Sequence, residues 1–196
     1  MKNTLLIFLV FTSLNVYAQQ QNNTEHFTVR VREEMGDLNR DGLQDKVILT
    51  MDTVNVQQPL KLQIFLLQPN RKLRLEFSSK EIFNPQYPNG KYGGDQVPSI
   101  LIENGNLIIY CEIKDIKEYY TFRYQNGKFE LIQITKTIWD DKDTTTETKF
   151  DLIKGEKTEI SKLLGSGKAK KKKPTKITLK ALPTLQNFRN PENQLE

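Results

Sequence analysis

Short apolar stretches alternate with polar turns along the chain from about residue 27 to residue 160. These stretches are rich in β-branched and aromatic residues, and several place apolar side chains at every second position, which is typical of strands. The predicted strands cover residues 27–31, 47–49, 60–67, 72–77, 100–102, 107–111, 119–124, 129–134, 146–153 and 157–160. No stretch keeps a 3.6-residue period over three turns, and residues 79–83 are at most one helical turn.

The residues between these stretches predict hairpins. Asn104-Gly105 and Asn126-Gly127 each separate two apolar stretches, and Asn-Gly suits the type I′ turn, which needs positive φ at both central residues. Residues 68–71 and Lys154-Gly155 are further predicted turns. The chain is therefore predicted to be all-β, an antiparallel meander of hairpins curled into a sandwich, an open barrel or propeller-like sheets.

The first 18 residues have the features of a signal peptide. Lys2 precedes the apolar run 5–11, and Val16-Tyr17-Ala18 offers small residues for cleavage before Gln19. The run is shorter than the roughly 20 residues that a membrane-spanning helix needs, although a retained N-terminal anchor is the alternative. No cysteine stands at the predicted cleavage site, so no lipid attachment is expected. We expect a periplasmic or secreted protein without a membrane span.

Cysteine and charge narrow the remaining possibilities. Cys111 is the only cysteine, so no internal disulfide can form, and its apolar surroundings favour a place in the core. The net charge is +5, or +4 without Lys2, and five positive charges lie in one tract, Lys168 and Lys170 to Lys173. The basic character therefore belongs to a short segment, and the rest of the chain carries about −1 by that subtraction.

The composition divides the chain into four parts. Residues 1–18 are the predicted signal peptide and 19–161 the β domain; 162–176 are predicted as a flexible, lysine-rich linker, and 177–196 as a partly docked C-terminal segment that frays from Asn190. The lysine tract is either a solvated linker or a binding segment for an anionic envelope polymer or another envelope protein. No aromatic residues interleave with it, so no specific nucleic-acid binding is expected.

One loop carries a metal-binding pattern. Residues 37–45 read Asp-Leu-Asn-Arg-Asp-Gly-Leu-Gln-Asp, which places Asp37, Asn39 and Asp41 at alternate positions. Ca²⁺ prefers six to eight oxygen ligands, and this set together with the Leu43 carbonyl and Asp45 would supply five, while Gly42 permits the turn. Leu43 also offers an apolar side chain to fix the loop to the core. The alternative is a metal-free turn in which Asp and Asn bond local amides.

The loop is not an EF-hand, because Ile48 stands where the bidentate Glu belongs and no helices flank it. It resembles the calcium loops of the FG-GAP and VCBS repeat families, in which Asp-x-Asn/Asp-x-Asp-Gly-x-x-Asp precedes a strand. With residues 36–49, 93–95, 102–107 and 120–132 taken in order, the chain resembles exported bacterial proteins of unknown function that carry one such loop and a "TFRYQN" strand. That resemblance implies an architecture and no activity. The loop occurs once, so a full propeller is not expected.

Two aromatic features have competing interpretations. Tyr120, Phe122 and Tyr124 share one strand face, which is expected to be core rather than a glycan-binding surface. Residues 139–143 place three aspartates beside Trp139, either in a solvated loop, which we favour, or at a cation or sugar site.

The function predicted is that of an exported, non-enzymatic binding or structural protein with one structural Ca²⁺ site and no catalytic residues. One alternative is an envelope hydrolase that acts on glycans or phosphoesters through paired carboxylates such as Asp95, Asp140 and Asp141. The other is an interaction module that binds anionic envelope polymers through the lysine tract.

Overall fold

The structure is a computed structural model that describes residues 26–93, 97–140 and 143–188. Over these residues the fold is all-β and antiparallel, as predicted, and its two sheets do not close into a barrel. The first sheet has four strands in sequential order. They are β1 (Val29–Gly36), β2 (Asp45–Met51), β3 (Leu60–Leu67) and β4 (Leu73–Ser79).

The second sheet continues the meander with eight strands, of which β5 to β11 lie in sequential order and β12 also pairs with β10. The strands are β5 (Ser99–Glu103), β6 (Asn106–Ile113), β7 (Ile116–Gln125), β8 (Lys128–Asp140), β9 (Thr144–Asp151), β10 (Glu156–Leu163), β11 (Ala169–Lys171) and β12 (Thr175–Lys176). Two 3₁₀ turns, Pro88–Gly90 and Leu185–Asn187, are the helical elements of the described residues.

The predicted hairpins form at the predicted turns. Asn104 and Gly105 have φ of 51° and 69°, and Asn126 and Gly127 have φ of 52° and 73°, which are the positive values that a type I′ turn needs. The β6–β7 turn has no such signal in the sequence, since it is formed by Lys114, with φ of 53°, and Asp115. β6 and β7 therefore reach this turn and are each longer than the predicted strands 107–111 and 119–124.

Both sheets contribute to one hydrophobic core. Leu60, Leu62, Ile64 and Leu66 alternate along β3 and are fully buried, while Tyr120 and Phe122 of β7 are buried in the same cluster, which confirms their predicted place. Phe188 meets both rings edge-on, at centroid distances of 5.0 Å and 5.1 Å. Cys111 and Tyr124 are partly buried against this core.

The second sheet is longer than the core it covers. β8 has 13 residues, a length of about 43 Å at 3.3 Å per residue. Its buried residues lie between Phe129 and Ile134, and every position from Thr135 onward is half-buried or exposed. One end of the second sheet therefore extends beyond the packed core.

Three local predictions differ from the structure. Parts of the predicted flexible linker are strands, because β11 and β12 pair with β10, whose outer edge would otherwise leave backbone donors and acceptors unpaired. Trp139 and Asp140 belong to β8 and pair with Thr145 and Thr144, so the predicted loop there is shorter. Ser79 ends β4 and residues 80–83 form bends, so the helical turn considered for residues 79–83 does not form.

Several predictions concern residues outside the described ones. These are the signal peptide 1–18, Asp95, Asp141 and the C-terminal residues from Asn190. Within the described ranges, no helix is long and apolar enough to cross a membrane.

Candidate calcium-binding loop

The Asp loop, residues 37–45, connects β1 to β2. Gly36 and Asp45 are paired in the ladder, so the loop begins and ends at one point of the first sheet. Leu38 is fully buried in the core, whereas Leu43 is only partly buried. The apolar side chain that anchors the loop is therefore Leu38, and the prediction that gave this role to Leu43 is wrong.

The exposed half of the loop is closed by bonds from its own amides. The carboxylate of Asp37 accepts the amides of Asp41 (3.1 Å) and Gly42 (2.9 Å). Asp41 accepts the Leu43 amide and the Asn39 Nδ2 group, both at 2.8 Å, and its own amide bonds Asn39 Oδ1 at 3.2 Å. Asp37, Asn39 and Asp41 therefore lie together, as the pattern of alternate positions predicts.

The backbone adopts left-handed conformations where the loop turns. Gly42 has φ of 82°, which explains the glycine at this position because a side chain there would be strained. Arg40 has φ of 62° without being glycine, so the loop contains one residue whose conformation costs free energy. Nothing in the residue type of Arg40 predicts this conformation.

Asp45 differs from the other acidic residues of the loop because it is fully buried. Its Oδ2 accepts the amides of Leu38 (2.8 Å) and Asn39 (3.4 Å), and its Oδ1 accepts the amide of Leu67 at 2.9 Å. Burial raises the pKa of Asp45 above its ordinary value; the three amide bonds oppose this increase, and the charge of Asp41 adds to it. This side chain connects the loop to the end of β3.

The Asp loop also contacts the second sheet. A methyl group on Gly105 would lie 2.9 Å from Arg40 Nε and 3.4 Å from the Asp37 carbonyl oxygen, so the β5–β6 turn packs directly on the loop. Arg40 Nη2 donates a long hydrogen bond, 3.5 Å, to the Asn104 carbonyl. The loop thus lies where the two sheets meet, although Arg40 and Asn104 are 64 residues apart in sequence.

The donor set fits a calcium ion in part. Asp37, Asn39, Asp41 and the Leu43 carbonyl are the kinds of oxygen ligand that Ca²⁺ prefers, and the three side chains lie together on the exposed side of the loop. Asp45 has both oxygens occupied by amides inside the core, and no three His, Cys, Asp or Glu side chains of the described ranges are grouped for a metal ion. A cation would therefore be held by two carboxylates, one amide oxygen and one carbonyl.

The other acidic candidates are not part of such a cluster. Asp140 is exposed, and its Oδ1 accepts the Thr144 amide at 2.8 Å across the β8–β9 turn. A shallow cleft between the β9–β10 turn and the C-terminal segment has a volume of about 410 Å³ and is lined mainly by apolar residues, with Lys154 as its charged residue. The carboxylate pair that a hydrolase needs is absent from this cleft.

Comparison of the chain with protein-family models, with characterised proteins and with solved structures found no match.

Proposed function

We propose that this chain is an exported binding or structural protein, and that Ca²⁺ stabilises it at the Asp loop. Asp37, Asn39, Asp41 and the Leu43 carbonyl are the proposed ligands, and Asp45 is the anchor that holds them against the core. The observation that carries this proposal is the placement of two carboxylates and an amide oxygen on the exposed side of one loop. The resemblance to FG-GAP and VCBS calcium loops supports it.

Calcium is an added stabiliser in this proposal and not a condition for folding. Seven N–H donors bond the carboxylates of Asp37, Asp41 and Asp45, so these acids are satisfied by the protein itself. Ca²⁺ binding requires Asn39 to turn its oxygen to the ion and to give up its bond to Asp41. Water completes the coordination. Such a site belongs with the extracellular calcium modules, whose Kd is about 10⁻⁴ to 10⁻³ M.

The test is thermal unfolding of the purified protein in a chelator and in Ca²⁺. Ligand at ten times its Kd adds about 1.4 kcal/mol to the free energy of unfolding. For a chain of this size the melting temperature should rise by about 3–5 °C. Mg²⁺ at the same concentration is the ionic control, because it needs a stricter octahedral geometry and loses water less readily.

Asp41→Asn is the informative variant. Asparagine keeps an oxygen that accepts the Leu43 amide but removes a charge from the proposed site, so the variant should fold and lose the response to Ca²⁺. Asp143→Asn is the matched control, because Asp143 is exposed, lies in a distant turn, and has a positive φ that asparagine tolerates. A melting temperature that Ca²⁺ leaves unchanged in the unsubstituted protein would refute the proposal.

A further inference from the structure

The end of the second sheet that extends beyond the core is apolar and exposed. At this distal end β6, β8 and β10 finish, and β7, β9 and β11 begin. Its large exposed side chains are Ile113 (37%), Ile138 (40%), Trp139 (53%), Leu163 (43%) and Leu164 (43%). They come from strand ends and from the turn after β10, so the end of the sheet, rather than one of its faces, is apolar.

The lysine segment, residues 168–173, lies at the same distal end. β11 pairs with the last residues of β10, with Lys162 opposite Ala169 and Ser161 opposite Lys170, and the Leu163 amide bonds the Lys168 carbonyl at 3.1 Å. Trp139, Thr145, Lys162 and Ala169 form one row across four neighbouring strands. At about 4.8 Å per strand, the backbone of the lysine segment is about 14 Å from that of Trp139.

The lysines of this segment are available to a partner. Lys172 forms an ion pair with Glu159, while Lys168, Lys170, Lys171 and Lys173 are exposed and pair with no acidic side chain of the described residues. Residues 112–117, 138–140, 143–145 and 162–171 contain six lysines, three aspartates and Glu112, which pairs with Lys117, so their net charge is +2 by subtraction. Asp140 is among those aspartates and bonds the turn amide of Thr144.

We propose that the distal end is a docking surface for an anionic lipid membrane. Its apolar strand ends and Trp139 enter the interface between headgroups and acyl chains, where tryptophan is favoured, and the lysine segment contacts the anionic headgroups. This inference uses residues that the Asp loop does not contain, so it is independent of the calcium proposal.

A lipid surface explains both the lysines and the exposed apolar side chains of the distal end, whereas a soluble polyanion explains only the lysines. Lysines alone suffice to bind a polyanion through its charges, and exposed apolar side chains would add nothing to that contact. An interfacial membrane contact uses both kinds of side chain, because binding depends on buried apolar area together with attraction to anionic lipid. The exposed apolar residues at the same end of the sheet as the lysine segment therefore favour the membrane.

Trp139 is the only tryptophan of the chain and gives a direct readout. The purified protein is titrated with vesicles of phosphatidylcholine alone and with vesicles containing 30% phosphatidylglycerol, with tryptophan emission and co-flotation measured together. We expect binding to the anionic vesicles, with a blue shift and protection from acrylamide, and little binding to the neutral ones. Raising the salt concentration should weaken this binding.

Two sets of variants separate charge from insertion. Lys168→Gln, Lys170→Gln and Lys171→Gln together should weaken vesicle binding by about 100-fold, at about fivefold per lysine. The matched control replaces Lys72, Lys128 and Lys154 by Gln, because these exposed lysines lie in turns or at the first residue after a turn, at the opposite end. Leu163→Ser with Leu164→Ser should also weaken binding, and circular dichroism establishes that each variant is folded.

Four results would overturn the proposal. One is equal binding to neutral and anionic vesicles, and another is an equal loss in the control lysine variant. The third is binding to anionic vesicles without any change in Trp139 emission, which would mean contact through charge alone. Soluble polyphosphate that binds as tightly as the anionic vesicles, and still does so in the leucine variant, would identify a polyanion as the partner instead.

Discussion

At the scale of single residues, Asp45 connects its loop to the end of β3 through three hydrogen bonds. Asn at this position would keep one acceptor oxygen where three amides now converge, and its NH₂ group would face donors. We expect Asp45→Asn to lower the free energy of unfolding at pH 7 by about 1–3 kcal/mol. Urea unfolding in chelator and in Ca²⁺ should give the same loss. A variant as stable as the unsubstituted protein would mean that the cost of burying this charge outweighs its hydrogen bonds.

The pKa of Asp45 determines how this residue responds to acid. Because burial raises its pKa above 3.8, the folded protein holds the proton more tightly than the unfolded chain does. This difference adds to the free energy of unfolding below pH 3.8, where Asp45 is protonated in both states. The contribution is lost as the pH rises through the pKa of Asp45 in the folded protein. Asp45 is therefore not a cause of acid denaturation, although it is the most buried acid of the loop.

Tyr110 provides a pH dependence that can be measured directly. Its hydroxyl donates to Glu112, and this bond, with burial and the charge of Glu112, raises the pKa of Tyr110 from 10.0 to about 12. Between these values the unfolded chain releases the proton first, so stability should fall as the pH rises from about 10 to about 12. The 295 nm titration of the protein minus that of Tyr110→Phe isolates this group. In Glu112→Gln the midpoint should move back towards 10, and an unchanged midpoint would exclude Glu112 as the main cause.

At the scale of elements, the β5–β6 and β7–β8 turns provide a test of the contact between the two sheets. Gly105 and Gly127 both have positive φ, but a methyl group at Gly105 would press on Arg40 and Asp37, whereas one at Gly127 meets nothing within 4 Å. Gly127→Ala should cost about 1–2 kcal/mol, the cost of the left-handed conformation. Gly105→Ala should cost more in the same denaturant series. Equal losses would show that the turn does not press on the loop.

The strands and turns also show which parts of the fold can be predicted from the sequence. Alternating apolar residues and Asn-Gly turns predicted the strands of both sheets, because each signal is local and the burial of one face fixes the register. The strand at Ala169–Lys171 was predicted as part of a linker, since lysine has no preference for strands and the pairing is decided by the open edge of β10. At Leu43 the sequence predicted a contact that does not form. Local spacing does not reveal that Leu38 is the side chain that reaches the core.

Some features of the Asp loop were also predictable from the sequence, and others were not. The sequence predicted that Asp37, Asn39 and Asp41 lie together, because alternate positions around a tight turn at Gly42 face one centre. It did not predict that Asp45 turns inward, since its partner Leu67 is 22 residues away in β3. Nor did it predict the contact with Gly105, which depends on how the two sheets meet. Long-range contacts decided both roles.

At the scale of the whole molecule, the two proposed sites lie at opposite ends of the second sheet. The Asp loop contacts the turn where β6 begins, and the distal end is where β6 finishes, eight residues or about 26 Å farther along the strand. Sites this far apart with no shared partners are expected to act additively. Asp41→Asn should therefore abolish the calcium response and leave binding to anionic vesicles unchanged, when vesicle binding is measured in chelator.

The lysine variant should show the reverse behaviour. Replacing Lys168, Lys170 and Lys171 by Gln should weaken vesicle binding while the Ca²⁺-induced rise in melting temperature stays the same. In the combined variant the change in the free energy of unfolding should equal the sum of the separate changes to within about 0.5 kcal/mol. A larger discrepancy would mean that the sheet transmits strain between its ends. The loop and the distal end would then have to be treated as one coupled system, in which calcium modulates attachment to the membrane.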